Sequence, residues 1–338
     1  MKPRQNFFAS FINSARAPRN SAADASRSRR PSAVAVVVSA VLALLALTTM
    51  PAVVSTAQQI ADPNFDTKVA RPAYAKKNPK VLFDEAHHNF HTADGRYKPF
   101  ADLIRSDGYI ITPNRQPFTA AALKPFDILV ISNALGAPQM NAAEASHAAF
   151  TDAECEAVAG WVRAGGALLF IADHAPMGAA AERLGQKFGV GMSKAYTLDE
   201  ANTPPGDNNP GFILYTREKN SLADHPITRG RNDAERVGRV IAFTGQSLKG
   251  PEGSVAFMKL SDTAKDALPG MGAHVSAAGR AQGLAFSHGK GRVVVMGEAG
   301  MLSAQLAGPN QTPFGMNRPG IDNRQLALNL MHWLSRLI

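Results

Sequence analysis

Two acids and three histidines lie within eight residues near the start of the predicted domain. Residues 84–91 read DEAHHNFH and follow a short apolar run. Carboxylates and imidazoles serve in general acid–base catalysis, and they are also ligands that zinc prefers. His87 and His91, with Asp173 or His174, could therefore hold a divalent metal such as zinc that activates water. Because the spacing matches no established zinc motif, a polar site without metal and a structural hydrogen-bond network are the alternatives.

Further polar residues come directly after other apolar runs of the sequence. Asn133 follows one such run, the pair Asp173-His174 follows the next, and Glu298 follows a later one. Ligands of open parallel sheets bind outside the carboxyl ends of the strands, so we expect these residues at one edge of a sheet. We predict ligand-binding roles for Asp84, Glu85, His87 and Asn133, and catalytic roles for Asp173, His174 and Glu298.

The three predicted catalytic residues each have a second interpretation. Asp173 and His174 could form an acid–base pair in which the carboxylate orients the ring. Asp173 could equally be the N-cap of a helix that runs to Phe188. Glu298 comes just beyond a buried strand, where it could face a ligand or cap the turn at Met301. The sequence leaves both pairs of alternatives open.

Short apolar runs alternate with amphipathic segments and predict strands and helices. A capping box at Thr151 begins a helix that ends at Gly165, and Asp322 is expected to cap a final helix from Arg324 to Leu337. Continuous apolar strands between helices are typical of an α/β domain with a mostly parallel sheet covered on both faces. The predicted strands span residues 81–83, 109–111, 128–131, 167–171, 240–243, 255–259, 283–286 and 293–296, with a hairpin turn at 289–291.

The net charge of +9 is concentrated at the N-terminus, where residues 1–30 contain seven basic residues and one acid. Residues 31–60 carry no charge and include an apolar stretch from Ala33 to Leu47. We therefore predict a signal peptide over residues 1–57, of the Sec or twin-arginine type, and export to the periplasm or the outside of the cell. An uncleaved membrane anchor is the alternative. The rest of the chain carries only about +3, which argues against nucleic acid as a partner.

Residues 58–79 are polar, without periodicity, and read as a linker, and the motifs after them come in the order of a known group. The motifs are VLFDEAHHNFH, LKPFDILVISNA, VAGWVRAGGALLFIADHAP, ADHPITRG, GKGRVVVMGEAGMLS and DNRQLALNLMHWL. The set resembles the class I glutamine amidotransferase-like superfamily, in particular a branch similar to gliding-motility GldG-type and intraflagellar-transport-type domains. The resemblance covers residues 80–338 and implies a single three-layer, flavodoxin-like domain.

The resemblance does not extend to the amidotransferase reaction. That chemistry needs a cysteine on a tight turn between a strand and a helix, with a downstream histidine as its base. The run 167–171 leads instead into Ala172-Asp173-His174, and Cys155, the only cysteine, falls inside a predicted helix. We therefore predict a domain that lacks the thiol nucleophile.

Three functions are compatible with these residues. The preferred one is an exported module that binds a small polar ligand, such as a sugar or a cell-wall fragment, at the edge that contains the polar residues. The second is a hydrolase, with or without a metal, in which His87, His88 or His91 and the Asp173-His174 pair activate water. The third is a non-catalytic scaffold that binds a protein partner, which would require an exposed apolar face.

Overall fold

Strands and helices alternate over residues 80–187, and strands predominate from there to the last helix. The computed structural model describes residues 59–338, so the predicted signal peptide lies outside the described residues. In the described part, no helix is both long enough and apolar enough to cross a membrane. The α-helices are α1 (Lys98–Ser106), α2 (Ala120–Leu123), α3 (Asp152–Ala164), α4 (Met177–Lys187), α5 (Pro226–Arg229) and α6 (Asn323–Leu334). The strands are β1 (Ile60–Ala61), β2 (Lys80–Asp84), β3 (Ile110–Asn114), β4 (Ile128–Ser132), β5 (Ala167–Ile171), β6 (Gly191–Met192), β7 (Tyr196–Leu198), β8 (Phe212–Thr216), β9 (Arg239–Phe243), β10 (Leu248–Lys249), β11 (Val255–Lys259), β12 (Lys265–Ala267), β13 (His274–Ser276), β14 (Ala281–His288), β15 (Gly291–Met296), β16 (Ala304–Ala307) and β17 (Thr312–Gly315).

One mixed sheet of nine strands forms the centre of the fold. Its order is β3-β2-β4-β5-β15-β14-β10-β6, and β11 also pairs with β14. Five neighbouring strands of this sheet, β3, β2, β4, β5 and β15, run parallel and form four pairs. The other four pairs, which involve β14, β10, β6 and β11, are antiparallel. The prediction of a mostly parallel sheet is therefore wrong, and a flavodoxin-like three-layer arrangement is not confirmed.

The change of direction occurs at the turn between β14 and β15. His288 pairs with Gly291, and Gly289 between them has a φ of 60°, so the chain folds back on itself. The hairpin turn is confirmed at the position expected from the sequence. The antiparallel partners on the far side of β14 were not expected, because a short apolar run looks alike in parallel and antiparallel sheets.

Successive residues of the parallel strands pack into two different hydrophobic clusters. In β2, Val81 and Phe83 belong to a cluster that includes residues of α1 and α6, such as Leu103 and Leu330. Leu82 belongs to a second cluster that includes residues of α3 and α4. Because side chains of a strand point alternately to its two faces, both faces of the parallel strands are covered.

The sequence predicted the residues that cap α3 and α6, and the structure agrees with it for α3. The Thr151 side chain accepts a hydrogen bond from the Glu154 N–H, and Glu154 bonds back to the N-cap, so the predicted capping box is confirmed. Gly165, with a φ of 130°, ends α3 as predicted. Asp322 does not cap α6 with its side chain as predicted. Its carboxylate instead accepts the N–H groups of Gly238 and Arg239 at 2.7 and 3.0 Å, because β9 begins beside it.

The segment predicted as a linker, residues 58–79, lies against the domain over its described part. β1 pairs with β16, which pairs in turn with β17. Asp62 accepts a hydrogen bond from the Asn317 side chain at 2.9 Å, and Phe65 and Tyr74 pack on the hydrophobic core. The segment is irregular in conformation, but it is packed against the domain.

The parallel strands end at one edge of the sheet, which is called the rim below and consists of the ends of β2, β4, β5 and β15. Ser132 is opposite Ile171, and Ile171 is opposite Met296. The chain segments that follow these residues therefore leave the sheet side by side. The rim brings together polar residues that are more than a hundred positions apart in the sequence.

Two glycines should respond in opposite ways to substitution by alanine. A Cβ at Gly291 would lie 2.1 Å from the Val162 carbonyl oxygen and 2.3 Å from that of Gly166, and neither backbone atom can move easily. Gly291→Ala should therefore lower the free energy of unfolding by about 1–3 kcal/mol. Gly160 lies on the exposed side of α3, and a methyl group added there would meet no neighbouring atom within 4 Å. Because alanine favours a helix more than glycine does, Gly160→Ala should raise the free energy of unfolding by up to about 1 kcal/mol. Urea denaturation measures both, and equal stability of Gly291→Ala and the wild type would contradict the packing of β15 against α3.

Candidate functional site

His87 joins two buried carboxylates in the loop that follows β2. Its Nδ1 lies 2.9 Å from both carboxylate oxygens of Asp84, and its Nε2 lies 2.9 Å from Oε1 of Glu154. The His87 ring packs against Phe118 and Phe150, and its centroid lies 4.7 Å from the ring centroid of each. Glu154 lies in the first turn of α3, so His87 ties the loop after β2 to the start of this helix.

The two carboxylates favour the charged form of the imidazole between them. Burial opposes the charge, but the hydrogen bonds and negative charges of Asp84 and Glu154 outweigh burial and raise the pKa of His87. Burial also opposes ionisation of Glu154, but hydrogen bonds from Thr151, His87 and Phe118 lower the pKa of Glu154 to about 2. Both ring nitrogens of His87 therefore donate hydrogen bonds, and neither has a lone pair for a metal.

The other predicted ligand-binding residues also have partners within the protein. Glu85 accepts the Ala93 N–H at 3.0 Å. Asn133 has a φ of 51°, in the left-handed region, and its Oδ1 accepts the Asp173 N–H at 2.9 Å. Asp84, His87 and Asn133 are buried. Their contacts position the loops of the rim, and their side chains do not line an open surface.

Asp173 and Glu298 come together at the ends of the neighbouring strands β5 and β15. Asp173 accepts the Ala299 N–H through Oδ2 at 3.2 Å and the N–H of the following residue through Oδ1 at 2.8 Å. Glu298 accepts the N–H groups of Gly300 and Met301 at 2.6 and 2.8 Å. Glu298 therefore caps the turn at Met301, which is one of the two roles expected for it.

Asp173 is the more accessible of the two carboxylates. Glu298 is 1% exposed, and burial together with the negative charge of Asp173 raises its pKa well above the usual range. The Asp173 side chain is 11% exposed, and it forms no ion pair with a lysine or arginine of residues 59–338. Asp173 is not the N-cap of α4, because that helix begins at Met177 after Pro176.

Three further side chains pack beneath this pair. The Tyr97 hydroxyl donates to the Ala299 carbonyl oxygen at 2.6 Å. The His91 ring stacks on the Tyr97 ring at 4.4 Å, and His91 Nδ1 lies 3.2 Å from the Ser132 hydroxyl oxygen. Burial, helped by the charge of Arg96, lowers the pKa of His91 to about 3, so this ring is neutral. Sequence analysis missed Tyr97, because a tyrosine at the start of an amphipathic segment looks like an ordinary core residue.

The solvent side of the pair is formed by His174 and Tyr196. Nε2 of His174 lies 3.9 Å from Oδ1 of Asp173, and its Nδ1 lies 2.7 Å from the Ala175 carbonyl oxygen. The two rings stack at 4.5 Å, and the His174 side chain is 26% exposed, enough for a ligand to reach it. The sequence predicted His174, but gave no signal for Tyr196, which follows an irregular segment.

The predicted metal ligands are not assembled in the described part of the chain. His87 contacts Asp84 and Glu154, whereas His91 faces Ser132 on another side of the loop. Among residues 59–338, no three histidine, cysteine, aspartate or glutamate side chains converge in a way that could hold a metal ion. The residues that do converge at the rim are Asp173, His174 and Glu298, with His91, Tyr97 and Tyr196.

Two clefts lie away from this cluster. One of about 500 Å³ borders the edge strand β3 and is lined in part by Pro113, Asn114 and Phe126. The other, of about 210 Å³, lies between Arg229 and Arg236. Neither contains a predicted site residue. The candidate site is therefore assigned to the rim, which gathers several carboxylates and imidazoles, whereas the clefts are lined by a single carboxylate, Asp233, and by no imidazole.

The chain was compared with known proteins by sequence and by structure. No family model and no curated protein matches it. Its structure is similar to the mmIFT52 N-terminal domain, at 15% sequence identity and a TM-score of 0.53, over 76% of this chain and 97% of that one. A ThuA-like protein from Parabacteroides merdae is more distant, at 13% identity and a TM-score of 0.42, over 77% of this chain and 90% of that one. The first similarity shows a shared fold, and it shows neither a ligand nor a reaction.

The charged state of His87 should make stability depend on pH. His87→Gln leaves two buried carboxylates without a cation, so it should lower the free energy of unfolding by roughly 3–5 kcal/mol at pH 6. Because the pKa of His87 is raised in the folded state, its stabilisation is complete below the unfolded pKa of about 6.5 and is lost as pH rises through the folded pKa. Urea denaturation from about pH 5 to about pH 9 should show the two stability curves converging at high pH.

The control for this experiment is His274→Gln, which changes an exposed histidine on β13. It should leave both the stability and its pH dependence as in the wild type. A constant difference between the wild type and His87→Gln over the whole pH range would contradict a charged His87.

Proposed function

We propose that the protein binds a small polar ligand, of the sugar or cell-wall type, at the rim, and that Asp173 and His174 contact it. The observation that carries the proposal is the Asp173 carboxylate, which is mostly buried at the end of β5 without a lysine or arginine partner in the described chain. A carboxylate in this position is a strong acceptor for hydroxyl or amine groups. Sugars offer such donors in large number.

The surroundings of Asp173 support a binding role. Its two backbone hydrogen bonds, to Ala299 and to His174, fix the carboxylate between two strand ends. The exposed ring of His174 stands beside it, stacked on Tyr196. A group whose position is fixed before the ligand arrives loses little conformational entropy on binding.

The missing thiol supports binding over amidotransferase chemistry. No cysteine stands at the end of β5, where Asp173 follows Ala172. Cys155 is fully buried in α3, and burial raises the pKa of its thiol to about 11, so it is not a thiolate at neutral pH. The rim thus has the groups for recognition and lacks that nucleophile.

A hydrolase is the second candidate, and one observation favours it. Burial and the charge of Asp173 raise the pKa of Glu298, and a carboxyl group with a raised pKa beside a second carboxylate is a common arrangement in acid–base catalysis. Against it, Glu298 is almost inaccessible, and backbone N–H groups of Gly300 and Met301 occupy its oxygens. The geometry therefore favours binding as the primary role.

Calorimetric titration with glucose, N-acetylglucosamine and N-acetylmuramic acid tests the proposal. We expect at least one of them to bind the wild type and to bind Asp173→Asn about tenfold or more weakly, because a hydrogen bond to a charged group is lost. The matched control is Asp233→Asn, an exposed aspartate in the segment Asp233–Glu235, which should bind as the wild type does.

The unfolding temperature of each variant is measured in parallel, because Asp173 also accepts backbone hydrogen bonds. His174→Gln, which leaves those bonds intact, serves as a second rim variant and should also weaken binding. Binding of none of the three sugars, or equal binding by Asp173→Asn and the wild type, would overturn the proposal. Release of a cleaved product from a cell-wall disaccharide, abolished by His174→Gln, would instead favour the hydrolase.

A further inference from the structure

Arg96 is a half-buried cation in the loop between β2 and α1. Its guanidinium carbon lies 3.9 Å from the centroid of the Phe90 ring, in the geometry of a cation–π contact. Stacking on an aromatic face holds the guanidinium plane in place and leaves the N–H groups at its edge free to donate. Phe90 is itself fixed, because its N–H donates to the Asn133 carbonyl oxygen at 2.9 Å.

The bonding of Arg96 differs from that of two other arginines whose pKa burial lowers, Arg280 and Arg292. Arg280 donates to the carbonyl oxygens of Gly191 and Ser247 at 3.1 Å each. Arg292 donates to two carbonyl oxygens, that of Ile338 at 2.7 Å among them. Arg96 has one long hydrogen bond, from Nε to the Gln59 carbonyl oxygen at 3.4 Å, and no carboxylate of residues 59–338 within ion-pair distance. Its two terminal nitrogens have no acceptor among the described residues.

Arg96 lies next to the candidate site. Its positive charge helps to keep His91 neutral, and the Phe90 ring on which it stacks packs edge-to-face against His91 at 5.3 Å. His91 stacks in turn on Tyr97, whose hydroxyl binds the backbone beside Glu298. Arg96, without a carboxylate partner among residues 59–338, and Asp173, without a lysine or arginine partner there, thus border one polar cluster.

We propose that Arg96 binds a carboxylate or phosphate group of the rim ligand. The inference rests on the proposed function for its ligand and deepens it by naming the ligand class, an anionic polar molecule. Arginine binds carboxylate and phosphate through two parallel hydrogen bonds, and the two free terminal nitrogens of Arg96 are the groups that such a contact uses. An anionic group at Arg96 and donor groups at Asp173 would together orient the ligand along the rim.

The anion site is tested without reference to any sugar. Thermal unfolding of the full chain is followed while phosphate or acetate replaces chloride at constant ionic strength. We expect Tm of the wild type to rise with the concentration of at least one of the two anions, because a ligand that binds only the folded state stabilises it. Arg96→Gln should lose this rise, and Arg96→Lys, which keeps the charge without the planar fork, should retain part of it.

The matched control is Arg183→Gln, since Arg183 is 44% exposed and has a carboxylate partner, Asp152, at 3.4 Å. It should show the wild-type response to both anions. A larger response to phosphate points to a phosphate-bearing ligand, and a larger response to acetate points to a carboxylate-bearing one. Equal responses of the wild type and Arg96→Gln to both anions would overturn the inference, whatever the sugars do.

A paired titration then separates this inference from the proposed function. N-acetylmuramic acid and N-acetylglucosamine differ by a carboxylate-bearing lactyl group, so the acidic member should bind the wild type about tenfold more tightly. Arg96→Gln should abolish that difference while it still binds the neutral sugar. Equal binding of both sugars by the wild type would overturn the role of Arg96 and leave the proposed function standing. Anion binding at Arg96 without any sugar binding would overturn the proposed function and leave the anion site standing.

Discussion

A positive charge enclosed by two negative ones fixes the loop after β2, and the rest of the rim is built on that loop. His87 lies between Asp84 and Glu154, and all three side chains are buried. Burying a charged group away from water costs several kcal/mol per ion unless an oppositely charged, hydrogen-bonded partner is buried with it. The loop therefore has few conformations available to it. The residues that shape the rim from this side, among them Phe90, His91, Arg96 and Tyr97, follow His87 within ten positions.

The charges of the rim fall into two groups according to whether the protein itself satisfies them. Asp84, His87 and Glu154 are satisfied by one another, and the buried Glu298, whose pKa is raised, accepts backbone N–H groups. Asp173 and Arg96 are held in place by their neighbours, yet within residues 59–338 Asp173 has no lysine or arginine partner and Arg96 has no carboxylate partner. Charges of the second kind are costly to keep partly buried, which is why they are more often found where a ligand binds than in purely structural networks.

The antiparallel strands extend the sheet, and the strand ends that form the rim still lie side by side. β14 pairs with β15 as a hairpin and with β11 on its other side, and β10 pairs with the start of β14 beyond the end of β15, so the sheet continues beyond the last parallel strand. Glu298 follows β15 and therefore still leaves the sheet beside Asp173. The similarity to the mmIFT52 N-terminal domain concerns the backbone fold, at an identity too low to carry over any residue's role.

The local features of this protein follow from its amino-acid sequence alone. The run 167–171, the capping box at Thr151 and the turn at Gly289 each depend on neighbouring residues, and each is found where the sequence placed it. The parallel alignment of the strands that end at the rim also follows from the alternation of strands and helices, and it brought Asp173 and Glu298 together as expected.

Whether a polar residue is bound within the protein or left for a ligand depends on contacts that exist only in the folded chain. The cluster DEAHHNFH looked like the richest chemistry in the sequence, but Glu154, 67 positions after His87, occupies its second ring nitrogen. Tyr97, Arg96 and Tyr196 gave no signal, because their importance comes from packing against residues distant in the chain. Whether a charged group has an ion-pair partner depends on the residues within a few ångströms of it. For these residues, those neighbours come within that distance only when the strands pair in the folded protein.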